Sequence, residues 1–156
     1  MQGLPLNFST LGISALINIL IIVLFCRSLV KTLAFIAPEN RQIQPSSIWL
    51  LLIPVFNYIM NFIVVFGMSK SIANELKNRE FEEVKRPAFV PGIISAILAL
   101  LPIAVLFTTI PKKYMDIIGI FALLQMVFFI QYWMKINWYR QVLKKDTEEN
   151  GFDEQL

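Results

Sequence analysis

The chain has 156 residues, 56% of them hydrophobic and 16% charged, with a net charge of +3. Soluble domains average about 45–50% apolar and about 25% charged residues, so this length and balance fit one membrane-embedded domain. With no histidine and a single cysteine, Cys26, the chain excludes histidine-based triads, histidine metal sites and an internal disulfide.

The charges are segregated. None of the 14 Lys and Arg or the 11 Asp and Glu falls within residues 9–26, 47–69, 89–110 or 117–134. Crossing a hydrocarbon core takes about 20 predominantly apolar residues, and core helices of a soluble protein would carry charged outer faces. The expected fold is therefore all-α, a polytopic four-transmembrane-helix bundle over residues 1–145. Met1–Phe8 holds no Lys or Arg and no clear small-x-small cleavage site follows Cys26, so the first run is expected to be a mature span and not a signal peptide.

Beyond the first run, Arg27 and Lys31 at i, i+4 predict an interfacial helical extension ended by Pro38. The polar connection 37–46 leads to the least generic stretch, Trp49–Glu80. Ser46 or Ser47 is expected to cap its helix. Pro54 is expected to bend that helix, since it cannot donate to the Leu50 carbonyl. Asn57 and Asn61 share one face at i, i+4. The helix then runs on into a polar extension in which Glu75 and Arg79 pair and Ile72 and Leu76 share a face. After the turn at 82–87, the third run carries Pro91, Gly92 and Pro102. A tight link, 111–116, precedes the fourth run. The segment 135–145 reads as a second amphipathic cytoplasmic helix. The acidic end, 146–156, reads as disordered.

Three Lys and Arg lie between the first two runs (Arg27, Lys31, Arg41) and two more between the last two (Lys112, Lys113). Against these five stand nine, at positions 70–86 and 135–145. By the positive-inside bias both termini are expected in the cytoplasm.

Two candidate surfaces follow. Amides are poorly placed against lipid, so Pro54, Asn57 and Asn61, with Asn18 and Gln125 at comparable depth, predict a polar face turned into the bundle, either as interhelical glue or as the lining of a cavity. Trp138, Tyr139, Arg140, Lys144 and Lys145 lie on a basic amphipathic segment suited to an anionic leaflet or a protein partner. The spans contain no charged relay, and no phosphate loop or metal-ligand spacing occurs. The expectation is a non-catalytic protein without cofactor that acts by association with a second copy or another membrane protein, or alternatively a small transporter, channel or lipid-binding protein. No nucleic-acid partner is expected.

The pattern Trp49-x-x-x-Ile53-Pro54-x-x-Asn57, followed by Ser71 and Asn74-Glu75-Leu76-Lys77-x-Arg79, resembles small four-span bacterial membrane proteins of an uncharacterised family. That resemblance implies the bacterial inner membrane and carries over no activity and no functional residue.

Overall fold

The structure, a computed structural model, describes residues 8–81, 85–102 and 115–153. Among these it is helical without strands. Four α-helices are present: α1 (Phe8–Ala34), α2 (Pro54–Asn78), α3 (Phe89–Leu98) and α4 (Met115–Asp153). Two 3₁₀ segments, Pro38–Asn40 and Pro45–Leu52, lie between α1 and α2. Three helices, α1, α2 and α4, are long and apolar enough to cross a membrane. The second half of the third apolar run (103–110), the link at 111–114 and residues 82–84 lie outside the described residues.

Burial divides the bundle in two along its axis. In the half holding the C-terminal ends of α1, α2 and α4, an apolar stripe on each helix closes into a core. Leu29, Leu33 and Ile36 meet Met68, Ile72, Leu76, Ile136 and Leu143, all essentially inaccessible. These residues recur at three- and four-residue spacing, as a helix with one dry face requires. In the other half the large apolar side chains point outward: Leu16 is 68%, Ile59 64% and Leu123 67% exposed. Exposure on that scale across three helices is what a lipid-solvated surface shows, where no apolar stripe needs protein cover.

The largest departure from the sequence reading concerns the segment between α1 and α2. The apolar run 47–69 does not form one helix. Pro45–Leu52 is a 3₁₀ segment, Ile53 is extended, and Pro54 opens α2 at its first position. There Pro54 costs nothing, because the first helical N–H has no intrahelical partner. It starts a helix instead of bending one. Neither Ser46 nor Ser47 caps it: Gln44 precedes the 3₁₀ segment, Ile53 precedes α2, and neither cap position makes a side-chain hydrogen bond.

The 3₁₀ segment runs antiparallel to α2, as a strap against α1 and α2. At its base the Gln42 N–H donates to Ser71 Oγ at 2.8 Å, and Ile43 packs on Gly67 so closely that a Cβ there would lie 2.8 Å from the Ile43 Cβ. Further along, the Cys26 thiol donates to the Ile48 carbonyl at 3.6 Å, a contact between α1 and the strap. Residues 37–46 and 69–79 were expected on opposite sides, and they lie together. A continuous apolar run could not reveal this, because the reversal is made by tertiary contacts at 43–67 and 42–71.

Helix directions follow. Ser28 Oγ donates to Asn137 Oδ1 at 2.7 Å, and Phe25 packs on Phe129 at 4.9 Å between ring centroids, so α1 and α4 run parallel. The start of α1 and the end of α4 therefore lie at opposite ends of the bundle. Helix α3 runs antiparallel to both. It packs on α4 and α2 through small residues, Gly92, Ser95 and Ala96, and a Cβ on Gly92 would meet the Tyr132 ring and Val65 at 2.9 Å. Its regular ladder stops at Leu98, whose carbonyl would need the N–H that Pro102 lacks.

The end of α4 also differs from expectation. The helix continues through 146–153, where a disordered tail was expected. Asp146 and Thr147 accept hydrogen bonds from Arg79 Nη1 at 2.8 and 2.9 Å, and Lys144–Glu148 and Lys145–Glu149 pair at i, i+4. Local acidity is compatible with a helix once such partners are supplied.

Candidate functional site

The amide face forms a cavity. Asn18 from α1, Asn57 and Asn61 from α2, Ser95 from α3 and Gln125 from α4 line a space of about 560 Å³, within the size range of small-molecule sites. Its remaining wall is apolar, including Ile22, Phe25, Leu51, Met126 and Phe129. Four of the five residues expected on the polar bundle face are thus brought together. Pro54 is not among the lining residues: its role is to begin α2 one turn before Asn57.

The depth of this cavity follows from the first cation on each helix. Asn18 stands nine residues from Arg27, Asn61 nine from Lys70, Ser95 nine from Arg86 and Gln125 ten from Lys135. At about 1.5 Å per residue, each polar group lies about 14 Å from that charged boundary, near the middle of a core about 30 Å thick. The matched spacing on four helices was present in the sequence. It becomes interpretable only once α1, α2 and α4 are known to be parallel.

Hydrogen bonding within the site is local to each helix. Asn61 Nδ2 donates to Asn57 Oδ1 at 2.7 Å, and Asn18 Nδ2 donates to the Ser14 carbonyl at 3.2 Å. Among the described residues, the bonds of these three asparagines stay within their own helices. The Asn57–Asn61 pair spends one donor and one acceptor on itself and keeps further N–H groups and carbonyl lone pairs. No side chain in the lining carries a charge.

Sequence comparison adds nothing to this geometry. No family model, curated protein or solved structure matches the chain. The likeness drawn from Trp49, Ile53–Pro54 and Asn57 has no family match behind it, and the functional reading rests on the residues themselves.

The second candidate surface is divided. Trp138, Lys144 and Lys145 are exposed, while Tyr139 and Arg140 are half-buried. Trp138 and Tyr139 pack edge to face at 4.8 Å. The apolar stripe beneath them, Ile136 and Leu143, is fully covered within the protein core. This segment is the continuation of α4, and its Ile136–Leu143 stripe is used within the protein core.

A polar hub was only half anticipated. The Glu75–Arg79 pair forms as the i, i+4 spacing predicts, with Nε to Oε1 at 2.9 Å. What the sequence did not announce is its reach. Glu75 Oε2 accepts from the Ala37 N–H at 2.9 Å and from Asn40 Nδ2 at 2.8 Å, and Arg79 donates to the carbonyls of Phe35 and Leu143. Glu75 is 4% exposed. A buried carboxylate needs such a full set of donors, and here they tie together the ends of three helices.

Proposed function

We propose that this protein is a non-catalytic integral membrane protein that binds a small amphipathic molecule in an intramembrane cavity. The observation that carries this reading is the cavity of about 560 Å³ with Asn18, Asn57, Asn61, Ser95 and Gln125 on its wall. Polar side chains at mid-membrane are costly unless they pair with one another or serve a ligand or water path, and the bonds made by Asn18, Asn57 and Asn61 stay within their own helices.

The arrangement in the bilayer that fits this reading has three crossings, α1, the α3 segment and α4. The Pro45–Asn78 hairpin enters from, and returns to, the same side. From Pro54 to Ser69 the uncharged part of α2 spans about 24 Å, less than the core thickness of about 30 Å. All twelve Lys and Arg of the described residues then lie at or beyond one boundary, marked by Arg27, Lys70, Arg86 and Lys135. This charge asymmetry supports a cytoplasmic position for the half of the bundle that holds the C-terminal ends of α1, α2 and α4.

Association with a second copy or another membrane protein rests on exposed apolar side chains that any lipid-embedded bundle carries, so it has no observation of its own. Extraction into mild detergent followed by mass spectrometry of bound lipids and metabolites tests the cavity reading. The wild type retains an amphiphile that Ala99→Phe, which puts a ring on the cavity wall, loses. Identical complements in both proteins would remove the basis for a binding role.

A further inference from the structure

We infer that the cavity takes an uncharged, hydroxyl-bearing lipid, of the diacylglycerol class, and that the Asn57–Asn61 pair receives its hydroxyl group. This inference rests on the cavity-binding reading above and narrows it to a chemical class.

Charge comes first. Among the described residues the cavity lining holds neither cation nor anion, and the first cations along its helices, Arg27, Lys70, Arg86 and Lys135, stand nine or ten residues from Asn18, Asn61, Ser95 and Gln125. At that distance a phosphate drawn to mid-depth would be desolvated with no paired charge, a cost of several kcal/mol. Charged phospholipid headgroups are therefore excluded, and a neutral headgroup is not.

Hydrogen-bond character narrows the class further. Because Asn61 donates to Asn57, the pair is held in one arrangement and offers both remaining N–H donors and remaining carbonyl lone pairs one helical turn apart. A hydroxyl both donates and accepts, so it satisfies the two amides together, whereas an ester or ether oxygen only accepts. Gln125 on α4 and Ser95 on α3 provide further amide and hydroxyl partners on the other walls.

Shape agrees with a lipid in place of a water-soluble solute. The rest of the wall is apolar, with Ile22, Phe25, Met126 and Phe129 beside the amides. Three apolar lining residues, Ile21, Met126 and Ile130, are 38%, 57% and 42% exposed, so the cavity rim reaches the apolar outer surface of the bundle. A ligand can therefore enter from the bilayer, seat its hydroxyl at Asn57–Asn61 and leave its chains along the apolar wall.

The test uses the full chain reconstituted in vesicles of neutral phospholipid with trace photoactivatable diacylglycerol or, separately, photoactivatable phosphatidic acid bearing the same chains. The diacylglycerol probe labels peptides containing Asn57–Asn61 and Gln125–Phe129, and unlabelled diacylglycerol competes. Asn57→Leu/Asn61→Leu weakens that competition about tenfold, the equivalent of about 1.4 kcal/mol. Gln125→Leu, on a different helix, weakens it separately and guards against a folding artefact of the double variant. Equal labelling by the phosphatidic acid probe, or unchanged competition in both variants, would overturn the class while leaving a binding cavity. No cavity labelling by either probe in the wild type would overturn the cavity reading itself.

Discussion

The Gln42 N–H and Ser71 Oγ are 2.8 Å apart, and Ser71 in turn donates to the Gly67 carbonyl at 2.7 Å. One hydroxyl thereby fastens the entry of the strap to the body of α2. Four successive crossings would put these two residues on opposite sides of a membrane.

Topology is the first consequence. In a Cys26→Ser background, single cysteines at Gln44, Glu80 and Glu149, all exposed, should react with a membrane-impermeant thiol reagent from the same side. Reaction of Gln44 from the opposite side to Glu149 would restore four crossings and refute the hairpin.

The contact beside that bond should be equally sensitive. Gly67→Ala places a methyl 2.8 Å from the Ile43 Cβ, an atom close to the backbone that cannot swing away. Overpacking of this kind costs about 1–3 kcal/mol, seen as a lower midpoint in thermal denaturation in detergent. Ile43→Gly added to Gly67→Ala removes the Cβ that is met at 2.8 Å and should recover part of the loss. Failure of that recovery would mean the strap is not held there.

At the basic end, Glu75→Ala should be the most damaging single change outside the apolar half. It removes the acceptor for the Ala37 N–H, Asn40 and Arg79 at once, and breaking a buried ion pair costs about 3–5 kcal/mol. Arg79→Lys should also destabilise, since one ammonium cannot reach the carbonyls of Phe35 and Leu143 together with Glu75 and Asp146. Midpoints within error of wild type for both would show the hub to be incidental.

A stabilising change is available at the end of α2. The helix closes with Phe81 N–H to the Leu76 carbonyl and Glu80 N–H to the Lys77 carbonyl, and Glu80 has φ 56°. That is a Schellman closure with a non-glycine residue in the left-handed region. Glu80→Gly should raise stability by about 1 kcal/mol, and a fall in midpoint would contradict the assigned turn.

What was legible beforehand was local. Charge-free runs marked the apolar halves of α1, α2 and α4, and i, i+4 spacing placed Asn57 beside Asn61 and Glu75 beside Arg79. Each of these depends only on helix geometry and neighbouring residues, so a single chain suffices to read it.

The reversal at residues 37–53, the parallel run of α1 and α4, and the cavity were settled by tertiary structure alone. Hydropathy counts apolar residues without regard to direction, and Trp49–Met68 looks the same whether the chain crosses the membrane or doubles back at Ile53–Pro54. The choice is made by contacts distant in sequence, Ile43 on Gly67, Gln42 on Ser71, and Glu75 with Ala37 and Asn40. By itself the sequence determined which segments avoid water and which faces of them are polar. Only the packing decided which way each segment runs, and therefore that four polar faces meet around a space and not against one another.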